Sequence, residues 1–140
     1  MPNTYVSLPG FDVDDKEVEQ MKIRNATERI KFIGHEIELR TQMKTFNCHE
    51  GAFPILKTYI IRPLFNAFLM SPQYFQASGA CVSCGICEKK CPTKNIKIKE
   101  KPHWGTKCTH CLACYHACPL HAIQYGKRTT NKGQYQPLFP

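Results

Sequence analysis

The chain is 140 residues long, 42% hydrophobic and 21% charged, with a formal charge of +8. That length has room for one domain, or one small domain with an appendage, and the composition is that expected of a soluble protein. Nucleic-acid binding is not expected, because no recognised motif accompanies the positive charge, and Met1 to Gly10 lacks the charged n-region and apolar h-region of a secretory leader.

Residues 1–13 read as extended or irregular, broken at Leu8-Pro9-Gly10. A long helix is expected over about 14–45. Asp14 is its candidate cap, with Glu17 three positions on, and Asp14, Asp15, Glu17 and Glu19 suit the positive end of the helix. Ile23, Ala26, Ile30, Ile33 and Ile37 recur at three- and four-residue steps and form one apolar stripe. A helix of about 30 residues would be about 45 Å long. Its stripe has to be covered, either by the rest of this chain or a second copy, or by a sheet encoded elsewhere. Asn47 to Gly51 reads as a turn, and Cys48 within it as a free thiol in a connector, despite the adjacent His49.

The most apolar stretch follows, an expected helix over about 53–70. Lys57, Arg62 and Asn66 interrupt it, and Pro63 should kink or break it. A span needs about 20 mainly apolar residues, so no transmembrane segment is expected. A buried packing helix is the first reading; a partner-docking surface and an interfacial membrane helix are the others.

Eight of the nine cysteines then fall in two runs, Cys81, Cys84, Cys87, Cys91 with Pro92, and Cys108, Cys111, Cys114, Cys118 with Pro119. Both read C-x2-C-x2-C-x3-C-P, offset by 27 residues. This spacing ligates [4Fe–4S] clusters: iron in a sulfide cage is soft and takes thiolates, and three cysteines within one short loop can reach three corners of a cube. Pro92 and Pro119 fix φ where the chain leaves the loop, and Gly85 lets the backbone come close to the cage. Structural zinc uses pairs of cysteines rather than triplets closed by Cys-Pro, and disulfides need an oxidising compartment. Thiolates and oxygen-sensitive clusters point to a reducing, anaerobic cytoplasm.

Around the runs, Tyr74 to Ala77 is expected to pair with Ala122 to Tyr125, and Asn95 to Lys99 with Lys101 to Trp104. Ile96 and Ile123 share the offset of the cysteines, which suggests two halves related by an approximate twofold. A module of about 55 residues is too small to stand on an apolar core alone, so folding and cluster binding should be coupled. Ile86, Ile96, Leu112, Tyr115 and Ile123 are candidates to shield the sulfurs, and Trp104 to cover a cluster or pack in its hairpin. His110 and His116, inside the second run, read as exposed residues near the cluster rather than ligands, because cysteine fills every ligand position. Eight thiolates and two oxidised cores would bring the net charge to about +4. Lys89, Lys90, Lys94, Lys97, Lys99, Lys101 and Lys107 form either a solvated surface or a docking face for an acidic redox partner. Lys127 to Pro140 reads as a basic surface tail, with Leu138 and Phe139 able to pin its end.

Residues 81–119 resemble the two-cluster bacterial ferredoxins, in which the fourth cysteine of each run ligates the other cluster. The resemblance implies Cys81, Cys84, Cys87 and Cys118 for one cluster and Cys91, Cys108, Cys111 and Cys114 for the second. Lys101-Pro102-His103-Trp104-Gly105-Thr106-Lys107-Cys108, Cys111-Leu112-Ala113-Cys114 and Ala122 to Lys127 further resemble the C-terminal half of ferredoxin-type proteins with an N-terminal flavodoxin-like domain. Met1 to Tyr5 is similar to the end of that flavin domain, and the long helix to its last helix. No βαβ pattern or phosphate-cradling loop is present, so no FMN is expected on this chain alone. The expected fold is α+β: a helical region 1–72, a two-cluster ferredoxin domain 73–126 and a basic tail 127–140. The expected function is electron transfer by a carrier that is not itself an enzyme. Its partner would be a redox protein, a flavodoxin-like flavoprotein among the candidates. The chain would alternatively be the iron–sulfur part of a flavin-dependent oxidoreductase, or, less in keeping with the spacing, a structural zinc module.

Overall fold

The structure is a computed structural model that describes residues 2–39 and 52–135, without the side chain of Leu69. The expected turn with Cys48 and His49, residues 40–45 of the expected long helix and the anchors Leu138 and Phe139 lie outside the described residues. The chain forms two compact units: Met1–Pro2 with Asp14–Phe65, and Asn3–Val13 with Asn66–Pro140.

In the first unit, helix α1 runs Lys16–Glu38, about 35 Å at 1.5 Å per residue. It starts later than the expected 14. Asp15 is the extended N-cap and makes no side-chain capping bond, while the Asp14 carboxylate instead pairs with Lys22 at 2.7 Å. Glu17 and Glu19 remain in the first turn, where the helix dipole favours them. The apolar stripe is left largely open, with Ile30 69% and Ile37 68% exposed.

The second helical stretch also departs from expectation. It comprises α2 (Pro54–Leu56), a π-helical turn Lys57–Ile61 and α3 (Arg62–Leu69). Pro63 neither ends nor breaks it. The wider turn lies immediately upstream of it, and the Arg62 N–H there bonds the Lys57 carbonyl. The buried packing helix is not what forms: Phe53, Ile55, Tyr59, Ile60, Leu64 and Phe68 are all exposed.

The second unit is built on the repeat. Strands β1 (Phe75–Ala77), β2 (Ile96–Ile98), β3 (Pro102–Trp104) and β4 (Ile123–Tyr125) form two antiparallel pairs, β1 with β4 and β2 with β3. Phe75 lies opposite Tyr125, and Ile96 opposite Trp104. Short helices α4 (Ile86–Lys90) and α5 (Ala113–His116) follow the two cysteine loops. Adding 27 to a residue number carries β1 onto β3, β2 onto β4 and α4 onto α5. It also carries the left-handed residues Ser83, Gly85 and Lys94 onto His110, Leu112 and His121. The bonds Ser78 N–H to Ala122 O and Gly105 N–H to Asn95 O are equivalents as well. Gly85 meets its φ of +77° without cost, and no protein atom would meet a Cβ there. Its value is therefore conformational freedom. Leu112 holds φ 58° at the equivalent place, which is sterically costly but accompanies its complete burial in the core.

That core comprises Val6, Phe75, Ile96, Leu112, Tyr115, Ile123 and Tyr125. Two expectations need correction here. The opening segment, expected within the helical region 1–72, belongs to the cysteine unit, where Val6 and Ser7 are buried. Nor is the stretch after Lys127 a surface tail. Thr129 is fully buried, its hydroxyl accepts from Tyr125 N–H at 2.8 Å, and it donates to Gln124 at 2.8 Å. Asp12 ties the two segments together by accepting from Gly133 N–H at 2.8 Å.

Candidate metal centre: two cysteine cradles

Each cysteine loop curls through its left-handed residues into a short helix, turning three sulfurs toward one space. Cys81, Cys84 and Cys87 line a pocket whose remaining sulfur is Cys118. Cys108, Cys111 and Cys114 line a second, whose remaining sulfur is Cys91. Each cradle thus draws three cysteines from one repeat and one from the other. The burial repeats too: Cys84 and Cys111 are exposed, Cys87 and Cys114 buried, the other four between. Among the described residues, no three His, Cys, Asp or Glu side chains converge to hold a single ion.

The loops supply N–H groups to the sulfurs. Asn95 N–H donates to Cys91 Sγ at 3.3 Å and Ala122 N–H to Cys118 Sγ at 3.3 Å, again equivalents under the repeat. His110 N–H reaches Cys108 Sγ at 3.4 Å. Burial pushes the thiols of Cys87 and Cys108 up and that of Cys114 to about 12. At Cys91 burial acts in the same direction, but the Thr93 hydroxyl and neighbouring amides outweigh it and hold the thiol below its ordinary value. Burial therefore favours the protonated thiol at Cys87, Cys108 and Cys114. A soft cation cluster in the cradle would displace those protons, so the donor set, its number and its enclosure all fit an iron–sulfur group.

The linings differ. Around the first cradle stand Val82, Pro102, Leu120 and Ala122; the equivalents around the second are Thr109, Phe75, Thr93 and Asn95. Trp104 also lines the second, stacked on Phe75 with ring centroids 5.5 Å apart and planes 16° apart. Trp104, expected to cover a cluster or pack in its hairpin, lines the second cradle and lies opposite Ile96 in the hairpin. Of the expected shields, Ile96 and Leu112 line the second cradle and Ile86 and Ile123 the first.

The histidines were expected at the surface, and His110 and His116 are buried. Tyr135 N–H donates to His116 Nδ1 at 3.0 Å, so the proton sits on Nε2, 2.6 Å from the Thr4 carbonyl. His110 Nδ1 lies 3.0 Å from the Tyr5 hydroxyl, and its ring packs edge-on to Tyr125 at 4.5 Å. Burial holds both imidazoles below their ordinary pKa. Tyr115, fully buried, directs its hydroxyl to the Lys132 carbonyl at 2.8 Å and lies 2.8 Å from His121 Nε2. Gln134 donates to the Cys118 carbonyl at 3.0 Å. Residues 3–13 and 126–135 thus strap the back of α5, a role that sequence reading missed. The one available signal was the polar pattern Thr129, Gly133, Gln134, which is indistinguishable from a turn-rich tail.

Comparison with known proteins points the same way. Residues 80–123 match the family described as a 4Fe-4S dicluster domain. Over 51 residues the chain is 39% identical to an uncharacterized protein of Methanocaldococcus jannaschii. That alignment takes in 36% of this chain and 20% of the relative, so the match spans about a fifth of the relative's length.

Proposed function

We propose that this chain transfers electrons through two [4Fe–4S] clusters, one held by Cys81, Cys84, Cys87 and Cys118 and the other by Cys91, Cys108, Cys111 and Cys114. The observation that carries this reading is the crossed composition of the two cradles, supported by the match of residues 80–123 to the dicluster family. A bound cluster supplies one-electron exchange at a potential set by charge, hydrogen bonds to sulfur and exposure. The chain's own work is to hold eight thiolates in register, to donate backbone N–H groups to them, and to shield their inner sides with Ile96, Leu112 and Ile123 while leaving Cys84 and Cys111 at the surface. No acid, base or nucleophile is assigned, in keeping with a carrier. Lys97 and its neighbours on the surface suit an acidic redox partner.

A second reading makes the chain the iron–sulfur part of a flavin-dependent oxidoreductase. It is supported by the open apolar stripe of α1, where Ile30 and Ile37 stand exposed. Anaerobic purification with iron and acid-labile sulfide counts, followed by electron paramagnetic resonance on reduction, tests the first reading. About eight irons and eight sulfides per chain are expected from two four-iron cages; a colourless zinc protein without sulfide would sink it. Co-purification of a flavin-containing protein from the native host tests the second reading. Isolation solely as a flavin-free monomer would refute it.

A further inference from the structure

The repeat is broken on the side of the second cradle. Trp104 stands where the first half has Ala77, and Thr93 where the second half has Leu120. Among the described residues, the hydrogen bonds to first-cradle sulfurs are backbone ones. The second cradle adds side chains: Thr93 Oγ1 lies 3.6 Å from Cys91 Sγ, and Trp104 lines the same cavity as the buried Cys114. Among the described residues, the buried Trp104 Nε1 finds no hydrogen-bond partner. Leaving a buried N–H unpaired is costly. The stack on Phe75 and the pairing of Trp104 with Ile96 fix where that N–H points. A neutral thiol is a weak acceptor; a ligating thiolate, carrying charge, is a strong one.

We propose that Trp104 donates its indole N–H to Cys114 Sγ when that sulfur ligates a cluster, and thereby raises the reduction potential of the cluster in the second cradle. The inference rests on the two-cluster reading above. Reduction brings one electron from an external reductant, with no bond made or broken and no proton moved. The extra negative charge spreads onto the sulfurs, so an N–H aimed at one of them stabilises the reduced form more than the oxidised form. Burial of Cys114 acts the other way, by disfavouring added charge. The indole dipole offsets that burial. Trp104 is therefore a positioning residue that acts through Cys114.

The chain has one tryptophan, so 15N-tryptophan labelling marks Trp104 alone. In wild-type protein reduced anaerobically, pulsed electron paramagnetic resonance is expected to show a 15N coupling to one reduced cluster. A cluster-loaded protein without that coupling would overturn the proposal. Trp104→Phe keeps a ring on Phe75 and removes the N–H. Its iron and sulfide content should be unchanged, and one of the two titration midpoints should fall by about 59 mV, a tenfold change for one electron. Unchanged midpoints, or equal falls in both, would overturn the assignment to Cys114. Wild-type protein lacking acid-labile sulfide would overturn the cluster reading itself, an outcome distinct from loaded clusters that fail these tests.

Discussion

The two halves of the cysteine unit share a backbone and differ in what surrounds it. Ser83 and His110 share a left-handed φ, as do Lys94 and His121, and equivalent amides reach Cys91 and Cys118. Backbone shape alone therefore places the sulfurs. Glu88 and Tyr115 occupy equivalent helix positions and do opposite things. Glu88 faces water, pairs with Lys97 at 3.2 Å and accepts from Ile98 N–H at 3.3 Å. Tyr115 is fully buried and holds the carbonyls that bring residues 129–133 across α5. The first half is finished by a surface ion pair, the second by the ends of the unit. The lesson is that ligand geometry is the repeated property, while cover and polarity are individual to each half.

The strongest test removes what the halves share. Chelation of iron should unfold both, with loss of the far-ultraviolet signal of β1–β4 and of protection in amide exchange, because the apolar core is small. Retention of full native protection in iron-free protein would show that the shared scaffold stands without its metal. Next, Cys118→Ser should cost the first cradle its cluster and leave the second loaded, halving iron and sulfide, and Cys91→Ser should do the converse. If either variant lost its own half's triplet instead, the crossing of ligands would be wrong.

Smaller effects separate the individual features. Tyr115→Phe leaves the carbonyls of Lys132 and Gly133 without their donor and should destabilise the loaded protein by about 1–3 kcal/mol in denaturant titration. Gly133→Ala should act in the same direction, because a Cβ there would stand 2.3 Å from Val13 Cγ2. Lys97→Ala, at the equivalent surface pair, should change the unfolding midpoint little or not at all. The Lys97 ammonium and the Ile98 amide hold the Glu88 carboxyl below its ordinary pKa. Whatever that pair contributes is present in full above the ordinary carboxylate pKa and is lost as pH falls below it, through the depressed pKa of the folded state. A larger loss from Lys97→Ala than from Tyr115→Phe would reverse the ranking of the two halves.

Much of this centre was legible in the sequence because its information is local. Cysteine spacing sets which sulfurs share a loop, and the Ile96–Ile123 correspondence sets the strands; both lie within a few residues of what they position. The strands came out shorter than expected by one or two residues at their ends, where pairing gives way to the loops. What was not legible depends on distant contacts. Nothing near His116 shows that Thr4 and Tyr135 will bury it, and nothing near Val6 marks it as core. The apolar run 53–70 carried the opposite difficulty: its composition suggests burial, yet among the described residues its side chains from Phe53 to Phe68 stay largely in solvent.

The crossed cradles also bear on the order in which the protein can be completed during its own synthesis. The second cavity needs Cys91, already made, and is complete in sulfur once Cys114 has left the ribosome. The first, though three of its cysteines are translated earliest, stays one wall short until Cys118 emerges. The half that begins first is therefore finished last, and a chain arrested between Cys114 and Cys118 would present one closed cage and one open triplet.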